Sequence, residues 1–319
     1  MAEYPSNDIL TQYRSISNKL KKRFLRKPNV QEASEQYGSL AMQCEAQQLL
    51  PYAGLCWQAV ARCENELGHT NAEISALVRG GKLFLQAECK GASIGCHSAG
   101  GENVQAALCC YTRAGQRSQF LGPLGTPPAA GMALQLAEVL RRELDRPEAA
   151  RLHCSRAADL LRSSPTAYMH CLESIASGRV SEGDYDGALA VLEEVVSIAQ
   201  GAPRPTVGSY RDLLHKCEVS QVLLLLLLQP TPSRLPPRLA QLLERYTWGE
   251  HVDGADELVS EELFLLLQSL VMAIQSQDMP ALRILEADLW RHLSPEQRTL
   301  LRSLARSVSR TAYRLTNNY

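Results

Sequence analysis

Apolar residues recur along this chain at intervals of three and four, the period of one face of an α-helix, and no convincing strand alternation interrupts them. Four stretches share a template of a small residue, a bulky residue one turn on, and a small residue at i+7. They are YAGLCWQAVA (Ala53, Trp57, Val60), QAALCCYTRA (Ala107, Tyr111, Ala114), EAARLHCSRA (Ala150, Cys154, Ala157) and DGALAVLEEV (Ala188, Leu192, Val195). Positions i, i+4 and i+7 lie on one helix face, and small residues there let a neighbouring helix approach closely. Each stretch follows another helical pattern, over residues 31–48, 74–89, 132–143 and 167–177. The first alanines stand 54, 43 and 38 residues apart, so helix pairs recur irregularly near the length of a tetratricopeptide unit. Pro147 suits a helix's first turn and Gly183 a tight turn. Residues 90–103 and 120–131 read as inserts.

The pattern changes at CEVSQVLLLLLLQP (residues 217–230). Seven apolar residues run consecutively from Val222 to Leu228, six of them leucine. Spanning a bilayer takes about 20 such residues, so the run does not predict a transmembrane segment. A helix greasy on every side is covered either by its own chain or by another protein. We expect an outer face carrying Leu223, Leu224 and Leu227 to stay open for a partner. The apolar stretch at 263–274 is a plausible internal cover for the other side.

Beyond a break at residues 201–208, about five further helices are expected. Their starts lie at Pro236-Pro237, at Ser260 before Glu261-Glu262, at Pro280, and at Ser294-Pro295 with Gln297 completing a capping box. The predicted fold is therefore all-α, a tetratricopeptide-like helical solenoid with a C-terminal helical extension. Residues 1–200 would hold an N-terminal basic helix and degenerate helix pairs, 201–207 a short linker, and 208–319 the C-terminal helices.

Composition agrees: the chain is rich in leucine and alanine, and aromatics make up 6%. A net charge of −1 selects neither nucleic acid nor membrane as partner. The first residues show no basic-then-apolar leader pattern. Ten cysteines without a Cys-x-x-Cys pair read as buried thiols in a reducing compartment.

Chemical motifs are sparse. GASIG (residues 91–95) matches Gly-x-Ser-x-Gly around Ser93, but a nucleophile needs a strand before it and a helix after it. EGDYDGALAVLE (residues 182–193) approaches a calcium loop through Asp184, Asp186 and Glu193. Glu182 stands where the first aspartate belongs, and a turn entering a helix explains the same residues. Cys89, Cys96 and His97 lack zinc spacing. No catalytic, cofactor or metal site is expected.

Two basic features remain. Residues 9–31 hold seven Lys and Arg and no acid, among them Lys19, Lys21, Lys22, Arg23, Arg26 and Lys27. A nuclear signal, a dock for an acidic partner, or a solvated helix end would each explain them. Near the C-terminus Arg298, Arg302, Arg306, Arg310 and Arg314 recur every four residues, opposite Leu300, Leu301, Leu304 and Val308. Like charges on one face repel unless something acidic lies opposite, so this ladder is a second candidate partner surface, with a merely solvated helix face as the alternative.

The string ISNKLKKRFLRKPNV, with LPYAGLCWQAVARC, GALAV, the leucine run and EELFLLLQSLVMA, resembles the family of huntingtin-associated proteins of about forty kilodaltons, also known as factor VIII intron 22 proteins. The resemblance touches both ends and intervals between. It implies a fold similar to soluble NSF attachment proteins and a constitutive heterodimer with huntingtin. In that family the smaller protein sits between huntingtin's helical domains and depends on it for stability. The resemblance also implies a Rab GTPase link to early endosomes, beside cytoplasmic and nuclear localisation. An attachment-protein-like vesicle-traffic adaptor acting on SNARE bundles is the alternative. One departure is plain: the family carries a long proline-rich segment before the leucine helix, where this chain has only residues 201–208.

Overall fold

A computed structural model describes residues 8–21, 28–201, 208–231, 235–249 and 258–316. Among them the chain is all-α, with fourteen α-helices, one short 3-10 turn and no strand. Packing divides it into two compact units, with the boundary between Ser163 and Ser164.

The first unit contains α1 (Ile9–Leu20), α2 (Val30–Ala46), α3 (Leu50–Leu67), α4 (Thr70–Ser93), α5 (Glu102–Gln119), the 3-10 turn η1 (Gly122–Gly125), α6 (Thr126–Arg142) and α7 (Pro147–Leu161). Each helix packs on the next in chain order, as in a helical repeat stack. The small-residue template lies where these helices meet. Ala53, Ala107, Ala114, Ala150 and Ala157 are all buried, and Trp57 is half-buried. Close approach is visible at α4, on both of its neighbours. A Cβ on Gly81 would stand 2.8 Å from the Tyr111 ring, and one on Gly80 would stand 3.2 Å from the Gly54 carbonyl oxygen.

Of the first expected insert, 90–103, only residues 94–101 leave the helices, forming an excursion between α4 and α5 fastened by buried Glu88, which accepts from Ser98 Oγ at 2.7 Å and Asn103 Nδ2 at 3.2 Å. The second expected insert, 120–131, is mostly helical. Pro127 and Pro128 fall in the first turn of α6, where a missing N–H breaks no helical bond.

The second unit contains α8 (Pro165–Glu182), α9 (Tyr185–Gln200), α10 (Ser209–Leu228), α11 (Pro237–Trp248), α12 (Glu261–Gln275), α13 (Met279–Leu289) and α14 (Pro295–Thr316). The fourth helix pair, α8 and α9, thus packs with the C-terminal helices rather than with the first three pairs. Residues 202–207, most of the expected linker, lie outside the described residues.

Sequential stacking ends at α10. This helix is contacted by α8, α9, α11, α12 and α14, which explains an apolar surface on every side. Val222, Leu223, Leu224, Leu225 and Leu226 are all buried, among Leu267 and Leu270 of α12 and Leu300, Leu301 and Leu304 of α14. The open outer face expected on this run is therefore corrected. The C-terminal helices supply enough apolar surface to close over it, and only Leu227 and Leu228 reach half-exposure. No helix among the described residues is long and apolar enough to cross a membrane.

Helix starts follow the expected chemistry. Ser260 caps α12, and Ser294 and Gln297 form the expected box, with Ser294 N–H donating to Gln297 Oε1 at 2.9 Å and Gln297 N–H to Ser294 Oγ at 3.3 Å. The start read at Pro280 lies one residue earlier, at Met279, capped by Asp278, whose carboxylate accepts from Ala281 N–H at 3.0 Å.

Candidate interaction surface

The C-terminal arginine ladder is built on α14, whose register is fixed from within. Buried Gln297, besides closing the capping box, donates from Nε2 to the Lys216 carbonyl at 3.1 Å and Ser220 Oγ at 3.2 Å, both on α10. With Leu300, Leu301, Leu304 and Val308 buried, the four-residue repeat turns Arg302, Arg306 and Arg310 outward. Arg298 is half-buried, and its Nε donates to the Trp290 carbonyl at 2.9 Å.

Trp290, just beyond α13, organises the start of the ladder. The Arg298 and Arg302 guanidiniums lie over its ring, at 5.0 Å and 4.4 Å from the centroid. Such cation–π contacts contribute about 0.5–1 kcal/mol each at exposed sites and hold the two guanidiniums in place. Beside them α13 and α14 enclose an open groove of ≈ 520 Å³ lined by Arg283, Glu286, Ala287, Trp290, Arg291 and Arg302. Among the described residues no carboxylate pairs with Arg302, Arg306 or Arg310. Chemically this is a cationic, partly aromatic surface for carboxylates or other anions. The sequence alone revealed the ladder but not Trp290, Arg283 or Arg291. The available signal was a tryptophan eight residues before Arg298, which becomes informative only once the α13–α14 turn is known.

The N-terminal basic feature behaves differently. Described α1 ends at Leu20, so of the seven basic residues only Arg14 and Lys19 fall on it. Lys19 is tied to α2, donating to Gln36 Oε1 at 3.0 Å with Glu32 at 4.0 Å. Lys21 is the exposed, extended cap of α1. Lys22, Arg23, Arg26 and Lys27 lie outside the described residues, as does the Arg314 side chain. Leu223 and Leu224 belong to the second unit's core, with half-buried Leu227 at its edge.

The sequence motifs that suggested chemistry have local explanations. Ser93 ends α4, and its hydroxyl donates to the Lys90 carbonyl at 2.8 Å, a helix-end arrangement rather than a strand-to-helix elbow. Asp184 caps α9 by accepting from Gly187 N–H at 3.0 Å, after Gly183 turns the chain at φ 81°. Seven of the ten cysteines are buried, and no disulfide joins any of them.

The chain is 40% identical over 353 residues to the 40-kDa huntingtin-associated protein of Rattus norvegicus, covering 93% of this chain and 91% of the relative. The Mus musculus protein of the same name gives the same figures: 40% identity, with 93% and 91% covered. The matched span of 353 residues exceeds the 319 of this chain, so the relatives carry residues with no counterpart here. No protein-family model matches the chain.

Proposed function

This chain belongs to the family of the 40-kDa huntingtin-associated protein, and from that premise we propose that it is a non-enzymatic helical scaffold that binds huntingtin. The observation that carries the reading is 40% identity extending over 93% of the chain, which leaves little of the molecule outside the likeness. The sequential helix stack of the first unit suits extended contact with another protein.

The finer proposal is a constitutive heterodimer in which huntingtin stabilises this chain. Cytoplasm is the proposed location, with nuclear and early-endosomal pools and a Rab GTPase as endosomal partner. Burial of the leucine run removes one argument for dependence on huntingtin, because no large apolar face needs a partner's cover there. An attachment-protein-like adaptor for SNARE bundles, soluble on its own, would not expose such a run, so its burial fits that reading equally well. The preference for huntingtin therefore rests on the relatives' identity.

The deciding experiment is affinity isolation of the endogenous chain from its native cell at moderate salt, with mass spectrometry of what remains bound. Stoichiometric huntingtin supports the proposal. SNARE proteins with their ATPase, and no huntingtin, would establish the adaptor instead.

A further inference from the structure

We infer that the α13–α14 surface docks the acidic face of an α-helix, one carrying carboxylates four residues apart beside an apolar side chain. The inference goes beyond the huntingtin reading, because it concerns the chemistry of the occupant and not its name.

Three observations converge. The first is spacing. Residues four apart on a helix are separated by about 6 Å along the axis. Arg302, Arg306 and Arg310 therefore present guanidiniums at the interval at which a second helix presents carboxylates at i, i+4 and i+8. These i, i+4 rows are also the ridges that interdigitate when two helices pack at about −50°.

The second observation is preorganisation. Arg302 lies 4.4 Å from the Trp290 ring centroid and Arg298 5.0 Å from it, and the Arg298 Nε bond to the Trp290 carbonyl fixes the second of them further. A guanidinium already held in place loses less freedom when it forms a paired bond to a carboxylate. The exposed part of Trp290 and Ala287 offer the apolar contact between charges.

The third observation selects among anions. Glu286 lines the same groove as Arg283, Arg291 and Arg302. A carboxylate there repels a continuous polyanion such as a phosphodiester backbone or a sulfated glycan. A helix with separate acidic positions can place a neutral or basic residue against Glu286 while its carboxylates meet the ladder. Free phosphate gains nothing from the regular spacing.

The test uses the full chain and two synthetic, fluorescently labelled, helix-stapled peptides of identical composition. One has glutamates at every fourth position flanking a leucine. The other has the same glutamates distributed around the helix. Binding is read by anisotropy at low and at physiological salt. The first peptide should bind several-fold tighter than its isomer, with affinity falling as salt rises. Arg302→Glu/Arg306→Glu should weaken it about tenfold or more, since each change replaces an attraction with a repulsion. Circular dichroism confirms that the variant is folded. Arg302→Gln/Arg306→Gln gives a milder second variant that should weaken binding in the same direction.

Equal binding of the two peptides would reduce the surface to unspecific positive charge and overturn the proposal. So would displacement of the peptide by stoichiometric inorganic phosphate or heparin, or no peptide binding at all. A concentration-dependent dimer abolished by the charge reversal would make a second copy of this chain the occupant, which also overturns it. None of these outcomes bears on whether huntingtin co-purifies, so the two proposals fail separately.

Discussion

Tyr246 Oη donates to the Glu218 carboxylate across 2.8 Å, joining α11 to α10 inside the second unit. Both side chains are buried, Arg245 Nη1 adds a bond to the same oxygen at 3.3 Å, and the Tyr246 ring tilts against Phe264 of α12. A carboxylate removed from water keeps its place only while such donors replace its hydration. Tyr246→Phe preserves the ring packing and removes one donor. It should lower unfolding stability by about 1–3 kcal/mol in urea titration. Adding Glu218→Gln to that variant should cost less than the two single changes combined, because the demand for a strong donor has gone.

In the first unit, the tight crossings of α4 predict a steric effect. Gly81→Ala would place a methyl carbon 2.8 Å from the Tyr111 ring, which cannot be accommodated without shifting α5. The expected loss is about 1–3 kcal/mol, the usual cost of overpacking, despite alanine's better helix propensity. Gly38→Ala, with nothing within 4 Å of the new atom, serves as the control and should be neutral or slightly stabilising. Thermal unfolding of both variants checks the contrast.

Glu73 predicts a third, electrostatic effect. It is fully buried between Arg113, with a bond at 2.9 Å, and Arg117, with one at 2.7 Å, and so ties α4 to α5. Removing the acid leaves two partly buried cations facing each other, so Glu73→Ala should cost about 3 kcal/mol, toward the lower end of what breaking a buried pair costs. Arg113→Ala leaves Arg117 in place and should cost less. Urea denaturation of the two variants orders them.

How much of this was legible in the sequence depends on what each inference required. The small-residue template needed only helical periodicity, and Ala53, Ala107, Ala150 and Ala188 lie where it placed them, at helix contacts. Capping at Ser260 and Ser294 was readable because a cap is local chemistry. The covering of Leu223 and Leu224 was not, since it depends on α11, α12 and α14 returning to one helix, and periodicity does not specify such long-range closure. Nor was the pairing of Trp290 with Arg302, which requires the turn between α13 and α14. The ladder itself was visible, because charge every fourth residue is again a local pattern.

Alkaline pH should destabilise the chain, through its buried thiols first. Burial pushes Cys56 and Cys217 up to about 12 and Cys110 to about 11, from an ordinary value of 9.0. Burial likewise lifts Tyr246, with the Glu218 carboxylate adding to the effect. A raised folded-state value means that the folded chain holds protons which the unfolded chain has released. Stability is then fully present below pH about 9 and falls as pH rises toward 12. Urea midpoints should decline steadily across that interval. Cys56→Ala/Cys217→Ala should make the decline shallower, even though its stability at pH 7 is lower. A double variant with an unchanged pH slope would mean that other groups govern alkaline unfolding.

The leucine run yields the prediction that separates internal core from partner cover. Leu224 is fully buried among the helices of the second unit, so Leu224→Ala should leave a cavity and cost about 2–5 kcal/mol in the isolated chain. Leu227 lies at the edge and is half-exposed, so Leu227→Ala should cost distinctly less. If the run is core, the isolated chain should be monodisperse in light scattering, and its 222–226 amides should exchange only through global unfolding. Adding a binding partner would then raise protection across the second unit as a whole, by stabilising the folded state, without a separate local gain at these amides. An isolated chain that aggregates, with rapid exchange at 222–226 cured only by a partner, would show that the covering helices do not close unaided. Light scattering and hydrogen exchange on wild type, Leu224→Ala and Leu227→Ala decide between the two.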